Sequence, residues 1–145
     1  MVDATIGLVD VTEQDVAAVP VGNLRVARGD FALVWVAAER ELGQGPGDWY
    51  ACGVAVTCRW LATATVRPAS GRWYVQWAPV TKRTGSAYEE LIEVEYLAAE
   101  ALLARRPVPR WLALRPGWAE GIVATFRWAW QRTADAPLAA AVPAD

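Results

Sequence analysis

The stretch Trp49–Val66, WYACGVAVTCRWLATATV, constrains this chain most, because its eighteen residues carry a single charge, Arg59. A run this apolar must be covered by the rest of the chain, so it marks the centre of the fold. Its β-branched residues suit a strand, but its length exceeds that of most strands. Its Ala, Cys and Gly residues allow helices to pack closely. The reading is a buried helix over 49–66, capped by Asp48 and stopped before Pro68. Arg59 in mid-run argues against a membrane-spanning helix. Its charge is expected near one end of the apolar face, or carried outward on the long stem.

The other elements arrange themselves around this one. Thr12-Glu-Gln-Asp15 has the form of a capped helix start, with a short helix from Glu13 to Val19 ending before Pro20. Asn23–Arg28 and Phe31–Ala38 are short apolar runs separated by Gly29-Asp30, which reads as an N-terminal β-hairpin. Leu42–Asp48 is a Gly/Pro loop, and Ala69–Arg72 is a turn. Residues 73–78 read as a strand, with Trp73, Val75 and Trp77 on one face and Tyr74 and Gln76 on the other. A helix over 87–105 follows from the spacing of Leu91, Ile92, Tyr96, Ala99, Leu102 and Leu103, with Ser86 as its cap. A last helix over 117–132 carries Trp118, Ile122, Phe126, Ala129 and Trp130 on its apolar stripe. The fold class is therefore α+β and helix-rich. A small antiparallel sheet, made of the hairpin and the 73–78 strand, would be covered by about three helices. Residues 1–133 form one domain, and the Ala/Pro tail over 134–145 is expected to be flexible.

Composition removes several chemistries. The 145 residues include no His, which excludes Ser-His-Asp and Cys-His catalysis and His-based metal centres. Two cysteines, Cys52 and Cys58, are too few for a disulfide framework and read as buried apolar residues in a reducing compartment. The start, MVDATIGLVD, has acids where a leader would be basic, so a cytoplasmic location is expected. Thirteen of the fourteen basic residues are Arg, as a high-GC genome favours. Most of the nine Trp are expected in the core or its walls.

Charge falls in blocks. Between Asp48 and Glu89 there is no acid, while Arg59, Arg67, Arg72, Lys82 and Arg83 are interleaved with seven aromatic residues. That mixture suits nucleic acid, with cations on phosphates and rings on bases. The candidate binding residues are Arg72, Trp73, Trp77, Lys82 and Arg83. Arg105, Arg106, Arg110 and Arg115 would extend the patch if the fold brought them near. A pI of about 5.2 and the lack of a readable nucleic-acid motif count against a dedicated binder. On the last helix, Trp118, Phe126, Arg127 and Trp130 are candidates for a protein-partner interface.

Glu89, Glu90 and Glu93 form an EExxE cluster in which Glu89 and Glu93 share a helix face and could hold Mg²⁺. The cluster resembles the metal-binding helix of all-α nucleotide pyrophosphohydrolases of the MazG kind. Those enzymes add an ExxD pair on a following helix, whereas here Val123 stands three residues after Glu120. Glu95 lies within the apolar stripe and is expected to pair with an Arg at the core margin.

The leading functional expectation is a non-enzymatic cytoplasmic accessory or protein-interaction module, with an unknown protein or a second copy of itself as partner and no cofactor. The alternative is nucleic-acid binding through the segment 59–83. A Mg-dependent nucleotide hydrolase built on EExxE is the third. No membrane partner is expected.

Overall fold

The computed structural model describes residues 10–44, 47–67 and 71–139. Parts of the 42–48 loop, the 69–72 turn and the 134–145 tail therefore lie outside the described residues. Among those described there are six α-helices and one small sheet, an architecture dominated by helices.

The apolar run is a helix, as expected. Helix α3 spans Trp49–Leu61, the Asp48 side chain accepts from Ala51 N at 2.9 Å, and every residue from Ala51 to Leu61 is buried. It stops earlier than Pro68 requires. Ala62 ends the helix and Thr63 turns left-handed at φ 55°, so that Ala64 N can donate to Arg59 O at 2.9 Å. This is the usual helix-ending turn with Thr in the place that favours Gly. The chain leaves it as strand β1, Thr65–Val66, which pairs antiparallel with β2, Tyr74–Val75, in the register Thr65 to Val75 and Val66 to Tyr74.

The expected N-terminal hairpin is not formed. Arg28–Gly43 is one continuous helix, α2. Phe31, Val34, Trp35 and Ala38 follow helical spacing and are all buried on its inner face. Gly29 and Asp30 are its first turn, where an acid suits the helix dipole. The sheet thus consists of β1 and β2 alone, and the expected 73–78 strand is ladder-paired only at Tyr74–Val75. The expected face assignment holds for exposed Trp73 and Val75 against half-buried Tyr74 and Gln76, but Trp77, although exposed, packs its ring on Tyr74.

Thr12 does cap a short helix, α1 (Glu13–Ala17), through a reciprocal pair with Asp15. Helix α4 spans Glu89–Ala104, but Tyr88 occupies its cap position and makes no side-chain cap bond, so Ser86 does not have the expected role. Helix α5, Arg110–Ala113, is additional to the expected elements. Helix α6, Trp118–Phe126, continues into a π-helical turn, Arg127–Gln131, and ends where Arg132 turns left-handed at φ 58°.

Helix α3 lies at the centre and packs mainly on α6 and then on α2. The α3–α6 contact is backbone on backbone. A Cβ on Gly53 would lie 2.2 Å from Trp118 O, and one on Gly121 would lie 2.3 Å from Tyr50 O. Any larger residue at either position must push the helices apart. On the α2 side, Arg59 is buried and pairs with Glu39 in two bonds of 2.7 Å, Nε to Oε2 and Nη2 to Oε1. Trp35 Nε1 donates to the same carboxyl group at 3.0 Å. Arg59 thus stands in the last turn of α3, near one end of the apolar face as expected, with its charge held inside on Glu39. Buried Asn23 joins a third junction, donating to Leu61 O at 2.9 Å and to Ala87 O at 3.1 Å.

The tight crossing is testable. Gly53→Ala and Gly121→Ala should each cost about 2–3 kcal/mol or more in urea unfolding, as overpacking a close contact does. Gly29→Ala, which meets nothing within 4 Å, should be neutral or stabilising by roughly 0.5 kcal/mol, because Ala favours the helix.

Candidate functional site

Where α3 leaves the α6 contact, the β-ribbon and the turn after it stand off from the helices and leave a cleft of about 430 Å³. Helix α3 supplies Trp49, Cys52 and Val56. The ribbon side supplies Tyr74, Gln76, Trp77 and Pro79, with Tyr74 and Trp77 tilted against each other at 5.7 Å. Lys82, Arg115 and Trp118 complete the lining, which contains two cations and no acid. A second groove, of about 450 Å³ on the outer face of α2, has Arg40 and Glu41 of opposite sign and no aromatic wall.

Both cleft cations are held over aromatic rings. Arg115 places its guanidinium 5.4 Å from the Trp49 ring centre, 5.6 Å from Trp118 and 5.9 Å from Trp111. Lys82 Nζ lies 5.4 Å from the Trp118 ring centre. Such contacts stabilise a cation without neutralising it. Among the described residues, neither Lys82 nor Arg115 forms an ion pair. Two positive charges on one apolar cleft leave a site whose electrostatic demand is unmet.

The position of Lys82 is fixed from behind. The turn over 78–83 is closed by Ala78 N to Arg83 O at 2.9 Å and Lys82 N to Ala78 O at 3.0 Å, with Lys82 left-handed at φ 62°. Glu95, buried at 2% exposure on α4, holds this turn. Its carboxyl group accepts from Val80 N, from Thr81 N at 3.0 Å and from Thr81 Oγ1 at 2.7 Å. The expected Arg partner of Glu95 is thus replaced by two backbone amides and a hydroxyl, which satisfy a buried carboxyl group equally well.

Lys82 is exposed as a residue, yet it lines the cleft with its ammonium close to the Trp118 ring. Burial there pushes its pKa below the ordinary value, and repulsion from Arg115 adds to the effect. The Cys52 thiol is pushed up to about 11, chiefly by burial, and Cys58 is raised well above its ordinary value for the same reason. Both therefore stay protonated near neutral pH and lack the thiolate that nucleophilic chemistry needs.

The structure divides the expected nucleic-acid residues. Trp77 and Lys82 line the cleft, while Arg72, Trp73 and Arg83 lie exposed outside its lining. Trp73 is 62% exposed and carries the Arg67 guanidinium 5.5 Å from its ring centre. Arg59, within the same segment, is buried on Glu39. Of the four more distant arginines, only Arg115 joins the lining. Of the expected partner-interface residues, Trp118 and Phe126 are buried, with Phe126 edge-on to Trp60 and Tyr96. Arg127 is exposed and bonded to Glu100 at 2.8 Å, and Trp130 donates to Glu93 at 2.9 Å. Glu93 is thus occupied by Trp130 and Gln131. Among the described residues no group of three or more Cys, Asp or Glu side chains is placed to hold a metal ion, so Glu89, Glu90 and Glu93 do not converge on one.

Sequence reasoning offered Arg115 only as a conditional extension of the basic patch and did not single out Trp49 and Tyr74 as site residues. Their positions are separated by tens of residues, and the α3–α6 crossing together with the β-ribbon brings them to one cleft. No known protein family, curated protein or solved structure matches the chain. Among the described residues no helix is long and apolar enough to cross a membrane.

Lys82 is the only lysine, so one NMR signal reports it. Its ε-methylene resonance should titrate below 10.5, the ordinary lysine value. The sign has a consequence for stability. A lysine that is harder to charge in the folded state penalises folding while it is charged, and the penalty lifts as pH rises through its lowered pKa. The native chain should therefore gain stability relative to Lys82→Met as pH approaches 10.5 from below, measured by urea unfolding at several pH values. A resonance titrating at or above the ordinary value contradicts the cleft environment described.

Proposed function

We propose that this chain is a non-enzymatic binding module whose working surface is the cleft between α3, the β-ribbon, the 78–83 turn and Arg115. Its partner presents a negatively charged group on an apolar body. The observation that carries this reading is the pair of unneutralised cations, Lys82 and Arg115, on an aromatic-walled cavity without an acid. Small-molecule sites have this character, mostly apolar with a few convergent polar groups. The absence of activated thiols and of histidine supports binding rather than catalysis. Two buried free cysteines suit a reducing compartment, so the reading includes action in the cytoplasm.

A second reading rests on Trp73. Its exposed ring with the Arg67 guanidinium beside it would offer single-stranded nucleic acid a stacking surface, and Arg72 and Arg83 are exposed cations of the same segment.

The indole N–H signals of the tryptophans separate the two readings. Titration with a library of small organic acids should shift the indoles of Trp49, Trp77 and Trp118 and leave those of buried Trp35 and Trp60 in place. Shifts confined to Trp73, produced by oligonucleotides and lost at high salt, would favour the second reading. No movement of the three cleft indoles with any acid would remove the first.

A further inference from the structure

The same cleft carries a more specific inference about its occupant, which rests on the binding reading above. We infer that the ligand is a small planar aryl anion, one or two fused rings bearing a carboxylate, sulfonate or phosphate. Its anionic group would sit beside Trp118 between Lys82 and Arg115, and its ring would lie over the Cys52–Val56 floor.

Three observations converge on this class. The anionic group is drawn from the cations, because Lys82 and Arg115 both line the cleft and both lie within 5.6 Å of the centre of the Trp118 ring. The body follows from the walls. Trp49, Tyr74, Trp77 and Trp118 line the walls, and aromatic rings favour offset or edge-on contact with another ring. The size follows from the volume, since about 430 Å³ falls at the small-molecule end of ligand sites. The lining also rejects alternatives. A cationic or zwitterionic ligand would bring its positive group into a cleft with two cations and no acid to receive it.

Glu95 acts through the turn. Its three acceptor bonds hold Val80 and Thr81, the two residues before Lys82, and so fix the turn that places Lys82 over Trp118. It is a positioning residue. Weakening it should reduce selectivity for the anionic group without closing the cleft.

The test uses two fluorescent probes with the same rings, 8-anilinonaphthalene-1-sulfonate and the neutral N-phenyl-1-naphthylamine. On the full chain the sulfonate should bind with one-to-one stoichiometry and roughly tenfold tighter than the neutral probe, the order expected when charge-assisted bonds are added. Lys82→Met should lower that preference severalfold, with Arg115 supplying what remains, and a cooperative urea unfolding transition shows that the variant is folded. Glu95→Gln should lower the preference in the same direction. In competition, 1-naphthoate should displace the sulfonate at much lower concentration than octanoate. Equal displacement by octanoate overturns the aryl class. Equal affinity for the two probes, unchanged by Lys82→Met, overturns the anionic class and leaves an apolar cleft standing. If neither probe binds with defined stoichiometry, both the ligand class and the binding reading fail.

Discussion

The close approach of α3 and α6 governs this structure. Gly53 and Gly121 remove the side chains that would separate the two backbones, and Trp118 O and Tyr50 O occupy the space instead. Contact at that distance fixes the crossing of the two most buried helices. It also fixes where their ends emerge. The N-terminal turn of α3 brings Trp49 and Tyr50 beside the start of α6. Gly117, left-handed at φ 96° and with Tyr50 Cβ 3.2 Å from the position of its missing Cβ, lets the chain enter α6 there. Arg115 and Trp118 flank that entry. The cleft is thus a by-product of the tightest packing in the molecule.

The basic residues fall into two physical roles. Arg59 is sealed inside with Glu39, and together with Trp35 it locks α2 onto α3. A buried pair of this kind fixes a unique arrangement, while its net contribution to stability is small. Lys82 and Arg115 receive aromatic faces where an acid would neutralise them. Glu95 could have been that acid, but it is turned to the backbone of Val80 and Thr81. The Glu95 carboxyl group therefore shapes the site from behind the turn and pairs with neither cation.

Much of the helical framework was legible in the sequence. The uncharged run with Asp48 before it pointed to α3, and the periodic stripe from Leu91 to Leu103 pointed to α4. These signals are local and strong. The failure at α2 was also local. Gly29-Asp30 and the β-rich Phe31–Val36 imitate a hairpin, while the helical spacing of Phe31, Val34, Trp35 and Ala38 carried the deciding information. Tertiary burial outweighed intrinsic strand preference there. The end of α3 was hidden because Thr63 adopts a conformation its residue type disfavours. The candidate site was legible only in fragments. Trp77 and Lys82 stood out in the basic-aromatic segment, but charge spacing could not show that Arg59 would be consumed by Glu39. Nor could it show that Arg115, from an irregular region, would meet the same Trp118 ring as Lys82.

The most direct test is a crystal structure of the chain grown with 1-naphthoate. The account predicts the naphthalene ring in the cleft against Trp118, with carboxylate oxygens within hydrogen-bond distance of both Lys82 and Arg115. A ring bound elsewhere, or a carboxylate turned to solvent with both cations left unpaired, would contradict it.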